Sequence, residues 1–255
     1  MAEISCDRFL GGRLHLRQPA CGHRAGTDAV LLAAGVPANA GGRAIDAGAG
    51  VGAAGLAASL AAPGLHVVLL ERDPALVGLA RDNIAANRLE DRAVIAEADL
   101  LSPQSCQAAG LAPATADLVL TNPPFLAADK VRVSPDRGKA DAHVIGPGGV
   151  EAWLRACLTL LKPGGTFLMI HRADALADIL GAIGIRLGAV VLLAVHPSAA
   201  SPATRILLRG IKGRRTPLAI ASPLVLHEQG GAFTAHAEAL HRGETRIDWT
   251  ALSHP

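Results

Sequence analysis

The chain has 255 residues, of which 50% are hydrophobic and 18% are charged, a globular composition that excludes extensive disorder. Aromatic residues make up only 2%, too few for a nucleic-acid surface built on repeated base stacking. The net charge is +2, and the pI near 8.5 lies below the value of about 9 that marks a dedicated nucleic-acid-binding domain. Bulk charge therefore neither requires nor excludes an RNA partner.

The four cysteines form no CxxC pair and no His/Cys cluster with zinc spacing, which predicts reduced thiols, most of them buried, and no metal. The first residues include Glu3 and Asp7 and lack the apolar stretch of a signal peptide. The longest apolar run, around 190–195, is too short to cross a bilayer. We therefore expect a soluble, cytoplasmic protein with no membrane partner.

Between about residues 43 and 213, apolar runs of strand length alternate with longer Ala/Leu-rich segments. This pattern predicts an α/β fold with a parallel sheet covered by helices on both faces. Seven strands are expected, at 43–47, 66–71, 93–99, 117–122, 166–170, 189–195 and 205–210. Residues 1–42 then form an N-terminal extension, 43–213 the main domain and 214–255 a C-terminal tail packed on or trailing from that domain.

Two local signals refine this fold. Asp73 followed by Pro74 predicts a helix N-cap with proline in the first turn. The link between the last two strands contains Pro197 and Pro202 and has no room for a crossover helix, so these strands are expected to be antiparallel. The predicted sheet is mostly parallel with one reversed strand.

A glycine-rich turn follows the first candidate strand. Gly50, Gly52 and Gly55 satisfy GxGxxG, a pattern that allows a dinucleotide cofactor. Asp46 stands two residues before Gly48, and an acid at the strand end repels a pyrophosphate but suits a ligand with an ammonium and a sulfonium group. This turn therefore predicts S-adenosylmethionine as the cofactor, bound by Asp46, Gly48, Gly50 and Gly52.

Two more acids follow the next two strands. Glu71 ends the second strand, about the distance beyond Asp46 at which an acid reaches ribose hydroxyls in such folds. Asp99 ends the third and could accept a hydrogen bond from the adenine amino group. Each acid alone is equally well explained as a polar strand end, but open α/β sheets bind ligands at this edge, which favours a cofactor site.

The tetrad Asn122, Pro123, Pro124 and Phe125 directly follows the fourth strand. The Asn122 side-chain oxygen and the Pro123 carbonyl can accept the two hydrogens of an exocyclic amino group, and proline fixes the direction of that carbonyl. Phe125 can stack on a flat substrate. The alternative is an ordinary proline turn that ends a strand. In its position after the glycine loop, the tetrad favours N-methylation, with Asn122 also near the cofactor.

The chain resembles the class I S-adenosylmethionine-dependent methyltransferases that act on amino groups through an (Asn/Asp)ProPro(Tyr/Phe/Trp) motif. LeuLysProGlyGly at 161–165 looks like a turn common in that superfamily. The resemblance covers about residues 20–213. It implies a Rossmann-like methyltransferase fold.

The segment 18–34 is similar to the one that precedes the cofactor loop in bacterial tRNA adenine-N6 methyltransferases acting on A37 of a valine tRNA. In that family this segment closes over the cofactor, which implies cofactor roles for Arg24, Thr27 and Asp28 and makes tRNA the expected partner. The structural alternative is Thr27 as a helix N-cap and Asp28 at the positive end of the helix. Phe125 replaces the family's commoner tyrosine, so a hydroxyl contact is lost while stacking remains.

Basic residues lie in the long loop after the tetrad, beside the expected substrate entrance, and are candidates for contacting tRNA phosphates: Lys130, Arg132, Arg137 and Lys139. Such runs are also common on solvated faces. His143 and His171 could touch substrate, although surface or core roles are favoured for both. The sequence leaves open whether the protein is a monomer or a homodimer.

Other activities share the tetrad. Protein glutamine N5-methyltransferases of the release-factor type usually carry a helical domain before the cofactor strand, and only about 42 residues precede that strand here. Guanine-N2 methyltransferases of rRNA commonly carry a second domain, and DNA adenine methyltransferases a target-recognition domain. A methyltransferase-like binding module without activity is the non-enzymatic alternative. We predict tRNA adenine-N6 methylation.

Overall fold

The computed structural model describes residues 3–21, 24–124, 126–127, 144–145 and 148–249. An antiparallel hairpin opens the chain, with β1 (Ile4–Phe9) and β2 (Leu14–Pro19) joined by a 3-10 turn at Leu10–Gly12. The helices are α1 (Thr27–Ala34), α2 (Ala53–Ala61), α3 (Pro74–Ala86), α4 (Pro103–Ala108), α5 (Gly149–Leu160), α6 (Leu176–Ile183) and α7 (Ala235–Arg242). Short 3-10 turns at Ala173–Ala175 and Gly184–Arg186 flank α6.

The central sheet contains all seven expected strands: β3 (Gly41–Ala47), β4 (Gly64–Glu71), β5 (Ala93–Glu97), β6 (Ala116–Thr121), β9 (Leu161–Arg172), β10 (Leu187–Ser198) and β11 (Arg205–Lys212). Their spatial order is β10-β11-β9-β6-β3-β4-β5. β11 runs antiparallel to both neighbours, whereas the other pairs among the seven are parallel. The mostly parallel sheet with one reversed strand is therefore confirmed.

The number of strands differs from the prediction, because the sheet has nine strands among the described residues. The tail adds β12 (Ala219–Ile220) and β13 (Leu224–His227), both parallel to β10 at the sheet edge. A separate two-stranded pair, β7 (Leu126–Ala127) and β8 (Val144–Ile145), lies outside this sheet. Strands of two to four residues are too short to show a hydrophobic period, which is why the sequence did not reveal them.

Both faces of the sheet are buried. In β3, Ala44 packs with α1, α2 and α3 in one hydrophobic cluster, while Ile45 packs with α4, α5 and α6 in the other. This explains the near-continuous apolar runs of the strands. Asp73 caps α3 as predicted, since its Oδ1 accepts a hydrogen bond of 2.8 Å from the Ala75 amide.

The two ends of the chain share the first of these clusters. Leu14 and Leu16 of the hairpin are fully buried in it, together with Leu240 and Trp249 of the tail. The Trp249 indole N–H donates to the Gly35 carbonyl at 2.7 Å, and the tail is thereby packed against the end of α1.

The cysteines differ partly from expectation. Cys106 and Cys157 are buried, but Cys6 and Cys21 are exposed, so the prediction that most are buried is wrong. Both exposed thiols belong to the hairpin segment, whose outer face was not apparent from the sequence. In the described ranges, no helix is long and apolar enough to span a membrane.

Candidate active site

The candidate site lies where the parallel strands end. Ala47 at the end of β3 is level with Thr121 at the end of β6, and Glu71 at the end of β4 is level with Glu97. In open α/β sheets this carboxyl edge is where ligands bind. The fold thus brings the glycine loop, Glu71 and Asn122 to one edge.

The glycine loop connects β3 to α2. Gly48, Gly50 and Gly52 have φ angles of 74°, 57° and 88°, the left-handed region that favours glycine. A Cβ at Gly48 would lie 2.8 Å from the Trp153 ring, whereas one at Gly50 would meet no atom within 4 Å. The loop therefore rests on Trp153 on one side and faces open space at Gly50.

Asp46 lies beneath this loop and is 3% exposed. Its Oδ2 accepts a hydrogen bond of 2.7 Å from the Gly55 amide in α2. Burial raises the pKa of Asp46 to about 7, with the negative charge of Glu71 adding to the rise and the Gly55 hydrogen bond opposing it. A cationic ligand beside Asp46 would favour its ionised form and gain a large interaction free energy.

The Glu71 carboxylate is held by three backbone amides. Its Oε2 accepts from Gly50 at 2.8 Å, and its Oε1 accepts from Arg72 and Asp73 at 2.8 and 3.0 Å. A carboxylate offers about four acceptor positions, so roughly one remains for a ribose hydroxyl. Contact with both hydroxyls of a ribose would require one of these three bonds to open.

Asn122 begins the turn after β6. Its Oδ1 is buried and accepts no hydrogen bond from the described part of the chain. Most buried polar atoms are paired, so an orphaned acceptor requires an explanation. Asn122 Oδ1 is well suited to receive a donor from a ligand, and Pro123 beside it is also buried.

Sequence reasoning did not identify Thr121 and Trp153 as part of this site. The Trp153 indole N–H donates to Thr121 Oγ1 at 2.9 Å, and the Thr121 hydroxyl donates to the Ala47 carbonyl at 2.8 Å. These bonds join the ends of β3 and β6 to α5, directly before Asn122. The scarcity of tryptophan in this chain was the available signal.

Asn83 in α3 was also missed, and it is fully buried. Its side chain pairs with both backbone groups of Arg17 in β2, accepting from the amide at 2.7 Å and donating to the carbonyl at 3.0 Å. It also donates to the Val51 carbonyl in the glycine loop at 2.9 Å. A helical asparagine thereby links the hairpin to the glycine loop.

The residues of the segment before α1 have other contacts. Arg24 pairs with Asp7 of β1 at 2.7 Å, and Asp28 pairs with Arg205 at 2.9 Å. Gly26, not Thr27, is the N-cap of α1, and Thr27 Oγ1 lies 3.2 Å from His241 Nε2. The cofactor roles implied for Arg24, Thr27 and Asp28 stay predictions.

Of the remaining predicted residues, Asp99 and His171 are described and the others are not. Asp99 lies two residues beyond the end of β5, and its Oδ1 accepts from the Leu101 amide at 2.9 Å. His171 is buried in β9. Outside the described residues lie Phe125, Lys130, Arg132, Arg137, Lys139 and His143.

The donors and acceptors at this edge fit S-adenosylmethionine. An open glycine turn, a carboxylate with a spare acceptor position and a buried acid that favours a cation match the amino acid, ribose and sulfonium parts of that molecule. Within the ranges described, no group of three His, Cys, Asp or Glu side chains could hold a metal ion.

Comparison with known proteins supports this assignment. The methyltransferase small domain family matches residues 23–137. A tRNA1(Val) (adenine(37)-N6)-methyltransferase from Aeromonas hydrophila is 30% identical over 231 residues, 89% of this chain and 92% of the relative. The enzyme of the same name from Porphyromonas gingivalis is 32% identical over 177 residues, 68% of each chain. A solved structure of a predicted O-methyltransferase from Agrobacterium tumefaciens has a TM-score of 0.72 at 30% identity, covering 86% of this chain and 98% of that one.

Fold and site together define an S-adenosylmethionine-dependent methyltransferase. The identity and coverage of these relatives show that the chain belongs to the family of the tRNA1(Val) (adenine(37)-N6)-methyltransferases.

Proposed function

We propose that this protein transfers a methyl group to the exocyclic N6 of an adenine in tRNA. The observation that carries the proposal is the buried Oδ1 of Asn122 at the carboxyl edge of β6, which accepts no hydrogen bond from the described residues. An amino group supplies the donor that this oxygen lacks. The hydroxyl acceptor of an O-methyltransferase supplies only one hydrogen, whereas the Asn122-Pro123 pair offers two acceptors.

The chemistry follows from the electronic structure of an aromatic amine. Its nitrogen lone pair is delocalised into the ring, so attack requires the nitrogen to move toward tetrahedral geometry. Asn122 Oδ1 and the Pro123 carbonyl hold the two hydrogens, and the fixed φ of proline directs that carbonyl. S-adenosylmethionine supplies the methyl group as an electrophilic sulfonium. No strong base is needed, because the nitrogen loses its proton after transfer.

Cofactor binding is assigned to the residues at the same edge. The glycine loop 48–52 presents backbone amides, Glu71 accepts from the ribose, and Asp99 accepts from the adenine amino group. Asp46 stabilises the cationic part of the cofactor from beneath the loop. Phe125 stacks on the target base, and the basic residues at 130–139 contact phosphates.

The tRNA substrate is inferred from the relatives, seven of which carry the name tRNA1(Val) (adenine(37)-N6)-methyltransferase. A tRNA substrate agrees with a cytoplasmic location, which stays a prediction. A protein substrate is the second candidate, because a release factor glutamine methyltransferase from Cereibacter sphaeroides is 26% identical over 151 residues. A primary amide presents the same delocalised nitrogen and the same two hydrogens to Asn122.

Substrate choice is tested with radiolabelled S-adenosylmethionine and two acceptors, an unmodified tRNA1(Val) transcript and a purified release factor. We expect methyl transfer to the transcript, recovered as N6-methyladenosine, with a steep loss at high salt as phosphate contacts weaken. Transfer to the release factor alone would establish the second candidate.

The role of Asn122 is tested by Asn122→Ala, which removes the acceptor. We expect kcat to fall by about 100- to 1000-fold, as for other losses of one preorganised polar group, while the cofactor Kd measured by calorimetry stays nearly constant. Asn122→Asp keeps an acceptor and should restore part of kcat. Asn87→Ala, at the C-cap of α3, is the matched control. A normal kcat in Asn122→Ala would mean that the tetrad is only a proline turn.

A further inference from the structure

Trp153 of α5 contacts two parts of the candidate site at once. A Cβ at Gly48 would lie 2.8 and 2.9 Å from its Cζ2 and Cη2 atoms, so the outer edge of the indole ring fills the space beside the glycine loop. Its N–H donates to Thr121 Oγ1 at 2.9 Å, and Thr121 directly precedes Asn122. One edge of one ring therefore reaches both the glycine loop and the turn that begins at Asn122.

The glycine loop and this turn leave the sheet where their backbone ladder stops. The pairing of β3 with β6 ends at Ala47 and Thr121. Beyond this pair the first segment continues through the glycine loop into α2, and the second forms the turn at Asn122. Side-chain contacts join the two segments at this point, because the Thr121 hydroxyl donates to the Ala47 carbonyl at 2.8 Å and accepts from Trp153.

This bridge of Trp153 and Thr121 is buried throughout, as is Ala47. The Thr121 hydroxyl uses its proton and accepts one donor, so both of its bonds are made within the bridge. A satisfied buried network restricts motion, because breaking one bond leaves a polar group unpaired away from water. The bridge thus keeps the separation of the two segments within a narrow range.

That separation matters for methyl transfer. In the proposed function, the glycine loop and Glu71 place the methyl donor, whereas Asn122 and Pro123 hold the amino group. Transfer requires the reacting atoms to be about 3 to 3.5 Å apart, and a displacement of about 1 Å can cost roughly 100-fold in rate. A side chain that fixes one segment relative to the other therefore acts on the rate of the chemical step without touching either reactant.

We propose that Trp153 is a positioning residue for methyl transfer, which sets the distance between cofactor and target amino group through its contacts with Gly48 and Thr121. The proposal rests on the proposed function, because it assumes that Asn122 holds the amino group. It gives one side chain two separable tasks: the ring supports the glycine loop, and the N–H fixes the turn at Asn122.

Replacement of Trp153 by benzothienylalanine, introduced at an amber codon in the full chain, separates these tasks. The bicyclic ring is kept, and sulfur takes the place of the N–H. We expect the single-turnover methylation rate of an unmodified tRNA1(Val) transcript to fall by about 10- to 100-fold, while the cofactor Kd stays within about twofold. Trp153→Phe also shortens the ring beside Gly48 and should weaken cofactor binding as well.

Trp249 provides the matched control. It is also buried, and its N–H donates to the Gly35 carbonyl at 2.7 Å. The same replacement at Trp249 removes one buried indole hydrogen bond and should leave the single-turnover rate within about twofold of the wild type. An equal loss of rate at both positions would assign the effect to stability and overturn the proposal.

Action through Thr121 is tested by a double-mutant cycle. Thr121→Val removes the acceptor, so the N–H of Trp153 has no partner left to position. Benzothienylalanine at Trp153 should then change the rate by less than about twofold beyond Thr121→Val alone. Rate losses that multiply would mean that Trp153 acts independently of Thr121, contrary to the proposal.

Fluorescence tests the contact with the glycine loop without any methyl acceptor. The chain has two tryptophans, so in Trp249→Phe the indole emission comes from Trp153. Binding of S-adenosylhomocysteine should change this emission, because the ring lies against the loop. Unchanged emission, while calorimetry shows binding, would overturn the proposal.

Failure of the proposal differs from failure of the proposed function. If the wild-type protein methylates the transcript and benzothienylalanine at Trp153 keeps the wild-type rate, the proposal fails and the proposed function stands. If the wild-type protein methylates a release factor and not the transcript, the proposed substrate fails. The same variants, measured with the release factor, then decide the role of Trp153.

Discussion

Asp46 combines a cost in folding stability with a proposed role in cofactor binding. Its pKa is raised to about 7 in the folded protein from an ordinary 3.8. The neutral acid is thus favoured by folding, and stability is lost as the pH rises from about 4 to about 7, above which the loss is complete. A cationic ligand at the site would favour the ionised acid and recover part of this free energy.

Asp46→Asn tests this cost. The amide oxygen can still accept from Gly55, so the variant should have a higher free energy of unfolding at pH 8, by up to about 4 kcal/mol. The gain should be smaller at pH 5, and cofactor affinity should fall. Urea denaturation at pH 5 and pH 8 measures the free energy of unfolding, and Asp73→Asn at the exposed N-cap of α3 is the control. An equal gain at both pH values would contradict the raised pKa.

The hydrogen bonds of Thr121 support the turn that begins at Asn122. Its hydroxyl receives the Trp153 N–H and donates to the Ala47 carbonyl, so Thr121→Val leaves a buried donor and a buried acceptor unpaired. We expect a loss of about 1 to 3 kcal/mol in the free energy of unfolding and a lower kcat, since the turn at Asn122 loses its support. Thr121→Ser keeps the hydroxyl and should retain most of kcat. Equal losses in both variants would assign the effect to the methyl group.

At the scale of elements, the sequence predicted the strands that belong to the repeated strand–helix pattern. It missed the strands that lie outside that pattern. The seven predicted strands are apolar runs, most of them separated by helices, and the mostly parallel sheet follows from that alternation. The hairpin β1–β2 was not predicted, although burial alternates along β2. Besides β1, β2 pairs with the side chains of Asn83 and Asn87 near the end of α3. Nothing in the sequence near Arg17 indicates that Asn83 pairs with it.

The candidate site shows the same division. The glycine loop and Asn122 were found because both depend on short local motifs. Thr121 and Asn83 act through contacts 32 to 74 residues apart in the chain, and such contacts carry no local sequence signal.

Asn83 and Asn87 offer a matched test of the link between the hairpin and the glycine loop. Both side chains pair with the backbone of β2, Asn83 at Arg17 and Asn87 at His15. Only Asn83 also reaches the loop, at the Val51 carbonyl. Asn83→Ala should therefore weaken cofactor binding by about 5- to 100-fold, about 1 to 3 kcal/mol for buried groups left unpaired.

Asn87→Ala removes the corresponding contact with the hairpin but no contact with the glycine loop. It should leave the cofactor Kd within about twofold. Calorimetric titration with S-adenosylhomocysteine measures both variants. Similar losses in the two variants would mean that hairpin position, and not the loop bond, controls cofactor affinity.

At the scale of the whole molecule, the two faces of the sheet differ in what they carry. The face that packs α4, α5 and α6 is built from the 43–213 segment alone. The other face also includes Leu14 of the hairpin and Trp249 of the tail. The hairpin and the tail thus share one core with the 43–213 segment.

A shared core predicts that the tail unfolds together with the sheet. Trp249 is 6% exposed and is bonded to Gly35, so Trp249→Ala should lower the free energy of unfolding by about 3 to 5 kcal/mol, whereas Trp249→Phe should lose less because a ring remains. Far-ultraviolet circular dichroism and Trp153 fluorescence of each variant should report the same urea midpoint. An unchanged midpoint in Trp249→Ala, or two separate transitions, would show that the tail docks on a domain that is already stable without it.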